Sequence, residues 1–171
     1  MADKYLKLDP NGNITEVEAT TQSAGSANAG DIVALNDDGK IDETLLPDTI
    51  SPEVLSVPAG EDLTAGDLVY LYDEGGTVKC KKALADDVTK SAVGFVKTSA
   101  ASGANVNVYF EGTITGLSGL TVGQCYFLSD TTAGAITTTP TAVSNHFVQR
   151  VGSAISDSEL QFERSQPIVR A

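Results

Sequence analysis

The sequence predicts an all-β protein: a β-sandwich or barrel built from two similar four-strand halves, preceded by an extended N-terminal arm. Three observations lead there. Helix signals are scarce, while 16 glycines and many Thr, Ser, Val and Asn residues favour short strands and turns. A phrase recurs: Ala29-Gly30-Asp31-Ile32-Val33-Ala34-Leu35-Asn36-Asp37 returns as Ala65-Gly66-Asp67-Leu68-Val69-Tyr70-Leu71-Tyr72-Asp73. It returns more loosely as Val122-Gly123-Gln124-Cys125-Tyr126-Phe127-Leu128-Ser129-Asp130. Each copy is a Gly-led entry, an apolar run and an Asp-containing turn leading into Ile41, Val78 or Ile136, the pattern of a β-hairpin. Finally, matched strand phrases follow the second and third copies in the same order. The offsets are 57 for Leu63/Leu120, 58 for Gly94/Gly152 and 54 for Val106/Leu160.

The elements follow in chain order. Lys4 to Leu8 alternates as a short strand, Asp9-Pro10-Asn11-Gly12-Asn13 is a turn centred on Asn-Gly, and Ile14 to Val17 is the return strand. Thr20 to Ala29 is rich in Ser, Ala, Gly and Thr and reads as flexible. It offers too little apolar area to offset its ordering entropy unless a partner supplies surface. The first copy of the phrase, a hairpin-like element, and Lys40 to Leu46 complete an arm over residues 1–50. Pro47, Pro52 and Pro58 stiffen the connection, which places a linker at 51–58 and the body at 59–171.

In the body, strands are expected at Leu68 to Tyr72, Thr77 to Ala83, Ala92 to Val96 and around Val106, Val108 and Phe110. The second half repeats them at Cys125 to Leu128, Ala135 to Thr139, His146 to Gly152 and Leu160 to Phe162. Pairing the halves is expected to cover apolar faces that neither buries alone.

The 171 residues carry 11 basic and 23 acidic side chains, a net charge of −12. That balance argues against a nucleic-acid partner, which needs Lys and Arg for phosphate contacts. No apolar run approaches the roughly 18–20 residues that span a bilayer, so no membrane partner is expected. The start Met1-Ala2-Asp3-Lys4-Tyr5 lacks a basic segment followed by an apolar one, so no signal peptide is expected and synthesis is placed in a cytoplasm. Cys80 and Cys125 are far apart and read as buried free thiols.

Few motifs carry chemistry. The single histidine, His146, has no nucleophile phrase near it and reads as a structural or surface residue. G-x-S-x-G, H-E-x-x-H and C-x-x-C are absent, and Gly116-Leu117-Ser118-Gly119 lacks the G-K-[ST] of a phosphate loop. Asp9, Asn11 and Asn13 have alternate calcium-loop spacing, but Gly12 and Glu16 stand at the wrong positions. The stretch Asn36 to Asp42 fails the same count from Gly39. Catalytic residues, cofactors and metals are therefore all assigned none, and the chain is not read as an enzyme.

Asp31 to Pro47 resembles segments in the N-terminal parts of tailed-bacteriophage structural proteins, among them head fibres and capsid decoration (cement) proteins. Gly119 to Asp130, with Val151-Gly152-Ser153-Ala154-Ile155 downstream, resembles modules common in such virion surface proteins. The resemblance implies an all-β module, often a homotrimer, on the outside of a capsid or tail, with the major capsid protein as partner. A trimer would carry roughly −36, which favours solubility and rejects the packaged genome. The arm is then expected to order on the capsid, with Tyr5, Leu6, Leu8, Ile14, Val17, Ile32, Leu35, Ile41, Leu45, Leu46 and Ile50 as partner-binding residues; the alternative for Leu45 and Leu46 is that they cap the β-domain. The alternative is a head- or tail-fibre module that grips a host glycan. The absence of Trp and the placement of Tyr at alternating strand positions weigh against it.

Overall fold

A computed structural model describes residues 4–37, 39–46 and 53–171. The chain divides into two compact units, Met1–Ser51 and Pro52–Ala171.

The first unit begins with a hairpin of β1 (Lys4–Leu8) and β2 (Ile14–Glu18), in register from Lys4↔Glu18 to Leu8↔Ile14. Asp9 shapes its turn. The carboxylate accepts from the Asn11 and Asn13 N–H groups at 2.9 and 2.8 Å and from Asn13 Nδ2 at 3.2 Å. The strand period of two puts Lys4, Leu6, Leu8, Ile14, Glu16 and Glu18 on one face, and Tyr5, Lys7, Thr15 and Val17 on the other. Residues 20–33 engage that second face. Thr20 bridges to Val33, and Tyr5 Oη donates to Asp31 and accepts from the Ile32 N–H, each at 3.4 Å.

Two expectations for this unit need correction. The stretch Thr20 to Ala29 contains a 3₁₀ turn at Gly25–Asn28. Asn28 ties it down, accepting from the Ala24 N–H and donating to Thr20 and Asp31. The first copy of the phrase forms no strand beyond the Val33 bridge. Its turn closes, with the Asn36 N–H donating to the Lys40 carbonyl at 2.8 Å. No sheet covers Ile32, Val33, Leu35 and Ile41, however, and all four stay exposed. A hairpin without a covered apolar face gains too little to hold its ladder.

The second unit starts with β3 (Val54–Pro58), where the sequence suggested the end of a linker. Val57 and Leu55 pair opposite Val106 and Val108, so the ladder rather than the prolines decides its state. Pro58 ends an edge strand, where a missing N–H is tolerated. The linker residues 51 and 52 lie outside the described residues, as do Pro47 and Ile50.

Next come β4 (Leu68–Glu74), β5 (Thr77–Lys82), β6 (Gly94–Val96) and β7 (Asn105–Tyr109). The β4–β5 hairpin closes through Gly75-Gly76 at φ +63° and +86°, the left-handed pair that a two-residue turn requires. Then follow β8 (Gly112–Ile114), β9 (Cys125–Leu128), β10 (Ile136–Thr137), β11 (Phe147–Val148), β12 (Arg150–Ala154), β13 (Leu160–Phe162) and β14 (Ile168–Val169).

The two halves are the same sheet built twice. The first sheet runs β5-β4-β6-β7-β3 and the second β10-β9-β12-β13-β8, so the order corresponds strand by strand. Each half has five strands rather than four. The added strand, β3 or β8, precedes the others in sequence and pairs with the last of them. Ala59, just beyond β3, bridges to Cys80 of β5, so the first sheet curls, but neither sheet is a closed barrel.

Two registers differ from the sequence reading. Space for a side chain at Gly94 is closed by the Tyr109 carbonyl and Val108. At Gly152 it is closed by the Gln161 carbonyl and Leu160. Leu160 therefore corresponds to Val108, an offset of 52 rather than 54, and Phe162 corresponds to Phe110. The expected strand His146 to Gly152 is also split. Phe147–Val148 pairs with β14, and Arg150–Ala154 pairs with β9 and β13.

The halves stack front to back. Val57, Val69, Cys80, Val96, Val106 and Val108 of the first sheet form a core with Ala59, Leu63 and Ala100 of the same half. Leu68 and Phe95, from the opposite face, enter a second core with Ile114, Tyr126, Leu128, Phe147, Val151, Leu160 and Phe162. In the second sheet the inward residues Tyr126, Leu128 and Ala154 correspond to Val69, Leu71 and Val96, which face the other way relative to the partner sheet. Pairing the halves thus covers apolar faces that neither buries alone, as expected, and the first half also buries its other face by itself. Each fully buried Leu or Phe contributes about 1.5–3 kcal/mol.

Candidate functional site

Among its described residues the first unit has no core of its own. None of its described residues is buried, while Leu6, Leu8, Ile14, Ile32, Val33, Leu35, Ile41 and Leu46 count among the exposed large apolar residues. The structure divides the expected partner-binding residues into three groups. Leu6, Leu8 and Ile14 share the outer face of the hairpin, with Leu8 directly opposite Ile14. Tyr5 and Val17 sit half-buried on the inner face, where Tyr5 is held by Asp31. Ile32, Leu35 and Ile41 are exposed outside the hairpin. Leu45 is half-exposed in a 3₁₀ turn, and Leu46 follows it.

Charge is concentrated here too. Residues 1–51 hold ten acidic and three basic side chains, a net −7 in 51 residues, against −5 for residues 52–171. Glu16 and Glu18 flank the apolar trio on the outer face. Lys4 pairs with Glu16 at 2.6 Å. The Asn28 amide, the Lys7 ammonium and the Thr20 and Tyr5 hydroxyls lower the pKa of Asp31.

A cleft of about 320 Å³ within this unit is lined by Thr21, Gln22, Asn36, Asp37 and Asp42. The Asp42 carboxylate is already engaged, accepting from the Thr44 hydroxyl and N–H and from Gln22, and its pKa is lowered chiefly by that hydroxyl. Among the described residues, no three His, Cys, Asp or Glu side chains come together to hold a metal ion.

In the second unit, His146 Nδ1 lies 3.4 Å from Asp130. Hydrogen bonding to Thr141 and then to His146 lowers the Asp130 pKa. Cys80 is fully buried, and burial pushes its thiol pKa up. Cys125 is only half-buried, a departure from the expectation of two buried thiols. It stands at the position that Leu68 fills in the first sheet. Its Sγ lies 3.7 Å from Ser153 Oγ. Arg150 Nη2 donates to the same Oγ at 2.9 Å and pairs with Glu163 at 3.1 Å. Ser153 first, then Arg150, lower the Cys125 pKa.

No family model and no curated protein matches the sequence. Among solved structures, the chain is similar to the head fiber gp8.5 N base in bacteriophage phi29. The identity is 14%, over 71% of this chain and 95% of that one, with a TM-score of 0.45. A likeness at that level carries no argument about what this chain does.

Among the described residues, no helix is long and apolar enough to cross a membrane. The sequence reading named the apolar residues of the arm but missed the charge partition and the Cys125 surroundings. The first was open to a count of Asp and Glu on either side of the proline run. The second had no linear signal, because Cys125, Arg150 and Ser153 meet only across the β9–β12 ladder.

Proposed function

We propose that this chain is a structural protein of a tailed-bacteriophage virion. It binds the outer capsid surface as a decoration, or cement, protein and stabilises the shell by bridging capsomers. The observation that carries this reading is the first unit, which among its described residues exposes eight large apolar side chains and buries none. A unit of that kind gains most of its order from surface supplied by a partner. The second unit contributes two cores of its own, a body that stays folded while the first unit docks. In this reading the partner is the major capsid protein. A homotrimer would present three acidic units at once, so modest contacts combine into firm attachment.

The fibre alternative needs a sugar-stacking aromatic surface. All ten Tyr and Phe side chains are buried or half-buried, so no described position favours that reading.

The test is co-sedimentation with shells of the source phage that lack this protein. The full chain is expected to pellet with the shells and to raise the temperature at which they break. Residues 52–171 alone are expected to stay folded and remain in the supernatant. Undiminished binding by residues 52–171 would remove the docking role from the first unit, and saturable hits on a glycan array would favour the fibre alternative.

A further inference from the structure

We infer that the outer face of the β1–β2 hairpin is a docking face for an apolar protein surface rimmed by Lys and Arg, rather than for a second copy of this chain. This deepens the capsid-binding reading and rests on it for the identity of the partner.

The geometry begins with the pairing. Leu8 stands opposite Ile14 and Leu6 opposite Glu16, so the three apolar side chains form one contiguous patch at the turn end. Their relative exposures are 71% for Leu6, 66% for Leu8 and 71% for Ile14. The inner face is already engaged through Tyr5, Lys7 and Asp31, so the hairpin has one side committed to its own unit and one side unpartnered. Burying the trio takes apolar surface out of water, which favours docking.

Charge decides between the possible occupants. A second copy would bring another −7 against a face already bordered by Glu16 and Glu18, and like charges across an interface are unfavourable. Among the described residues, Lys4 is the only cation on that face, and it is paired with Glu16. A partner with an apolar groove and a cationic rim meets both features: the groove takes the trio and the rim meets the carboxylates. Such docking weakens as salt rises, because the rim contacts are solvent-exposed.

The experiment uses the full chain and two synthetic amphipathic helical peptides of equal length, one of Leu and Lys, the other of Leu and Glu. Binding is read by fluorescence anisotropy at low and high salt. The Leu/Lys peptide is expected to bind, with affinity falling several-fold at high salt, and the Leu/Glu peptide is not. A variant with Leu6→Thr, Leu8→Thr and Ile14→Thr keeps strand-forming residues at exposed sites and is expected to lose at least tenfold in affinity. Glu16→Lys with Glu18→Lys is expected to reverse the preference between the peptides. Circular dichroism and amide spectra of both variants check that the hairpin persists.

Equal binding of both peptides, no binding of the Leu/Lys peptide, or an unaffected triple variant overturns the proposal. So does a fall in the oligomeric state of the triple variant in sedimentation velocity, which would assign the face to a second copy. The shell experiment separates the two readings. If the triple variant still binds shells while residues 52–171 do not, this face is excluded and the capsid reading stands.

Discussion

Gln149 meets Ala92 through two hydrogen bonds at once. Its Oε1 accepts from the Ala92 N–H and its Nε2 donates to the Ala92 carbonyl, both at 2.9 Å, while Nε2 also reaches the Ser165 carbonyl at 3.2 Å. A side-chain amide thus completes a ladder rung between the two halves of the second unit. The side chain is 1% exposed, so no water replaces it. It also sits where the chain leaves β11 and enters β12, which explains the change of pairing partner there.

Gln149→Leu keeps the volume but strands the Ala92 N–H and carbonyl in the interior. Each unpaired buried group costs about 1–3 kcal/mol, so a loss of about 3 kcal/mol is expected. Urea unfolding would show a lower midpoint with an unchanged slope. A loss under 1 kcal/mol would mean that the rung is dispensable.

Gly94 and Gly152 occupy corresponding sites, and each faces a carbonyl of the next strand. A Cβ at Gly94 would lie 2.5 Å from the Tyr109 oxygen, and one at Gly152 would press on the Gln161 oxygen and Leu160. Gly94 has no positive φ, so Gly94→Ala reports crowding alone. Each alanine variant is expected to destabilise the unit by about 1–3 kcal/mol in the same unfolding assay. A neutral result at both sites would break the proposed correspondence between the halves.

What the sequence made legible follows from how local each signal is. The Gly75-Gly76 turn and the matched Gly94 and Gly152 are written in adjacent residues, and the repeat was read from them. The strand β8 was not, because Gly112–Ile114 is too short to show alternation. The break at Gln149 depends on an amide whose partner is 57 residues away. In the first unit, period two separates Leu6 and Leu8 from Tyr5, and Ile14 from Val17, so the outer face was readable. The exposure of Ile32 and Leu35 was not, since it depends on the absence of a covering sheet.

The two cysteines are expected to react at very different rates. Cys125 is half-exposed, and its thiolate is favoured by the Ser153 hydroxyl and then by Arg150, whereas Cys80 is buried with a raised pKa. In folded protein, iodoacetamide should modify Cys125, with a half-maximal pH below the ordinary thiol value of about 8.5. Cys80 should react only as fast as the unit opens. Ser153→Ala should move the Cys125 midpoint upward, and Arg150→Leu should do so to a smaller extent. Equal modification of both thiols, or a midpoint unmoved by either variant, would contradict this account.

Asp9 gives the hairpin its acid response. The Asn13 N–H and the Asn13 amide, followed by Asn11, stabilise its carboxylate and lower its pKa. A depressed carboxylate adds stability that is present above the unfolded value of about 3.9 and is lost as pH falls through the lower folded value. The turn should therefore hold unchanged from neutral pH to just above 4 and loosen only below that. NMR amide shifts of Asn11, Asn13 and Leu8 would follow the transition. Asp9→Asn retains an acceptor without the charge and should flatten the acid response while keeping the turn, whereas Asp9→Ala should loosen the turn at neutral pH. Loosening of the wild-type turn above pH 5 would show that another group controls the hairpin.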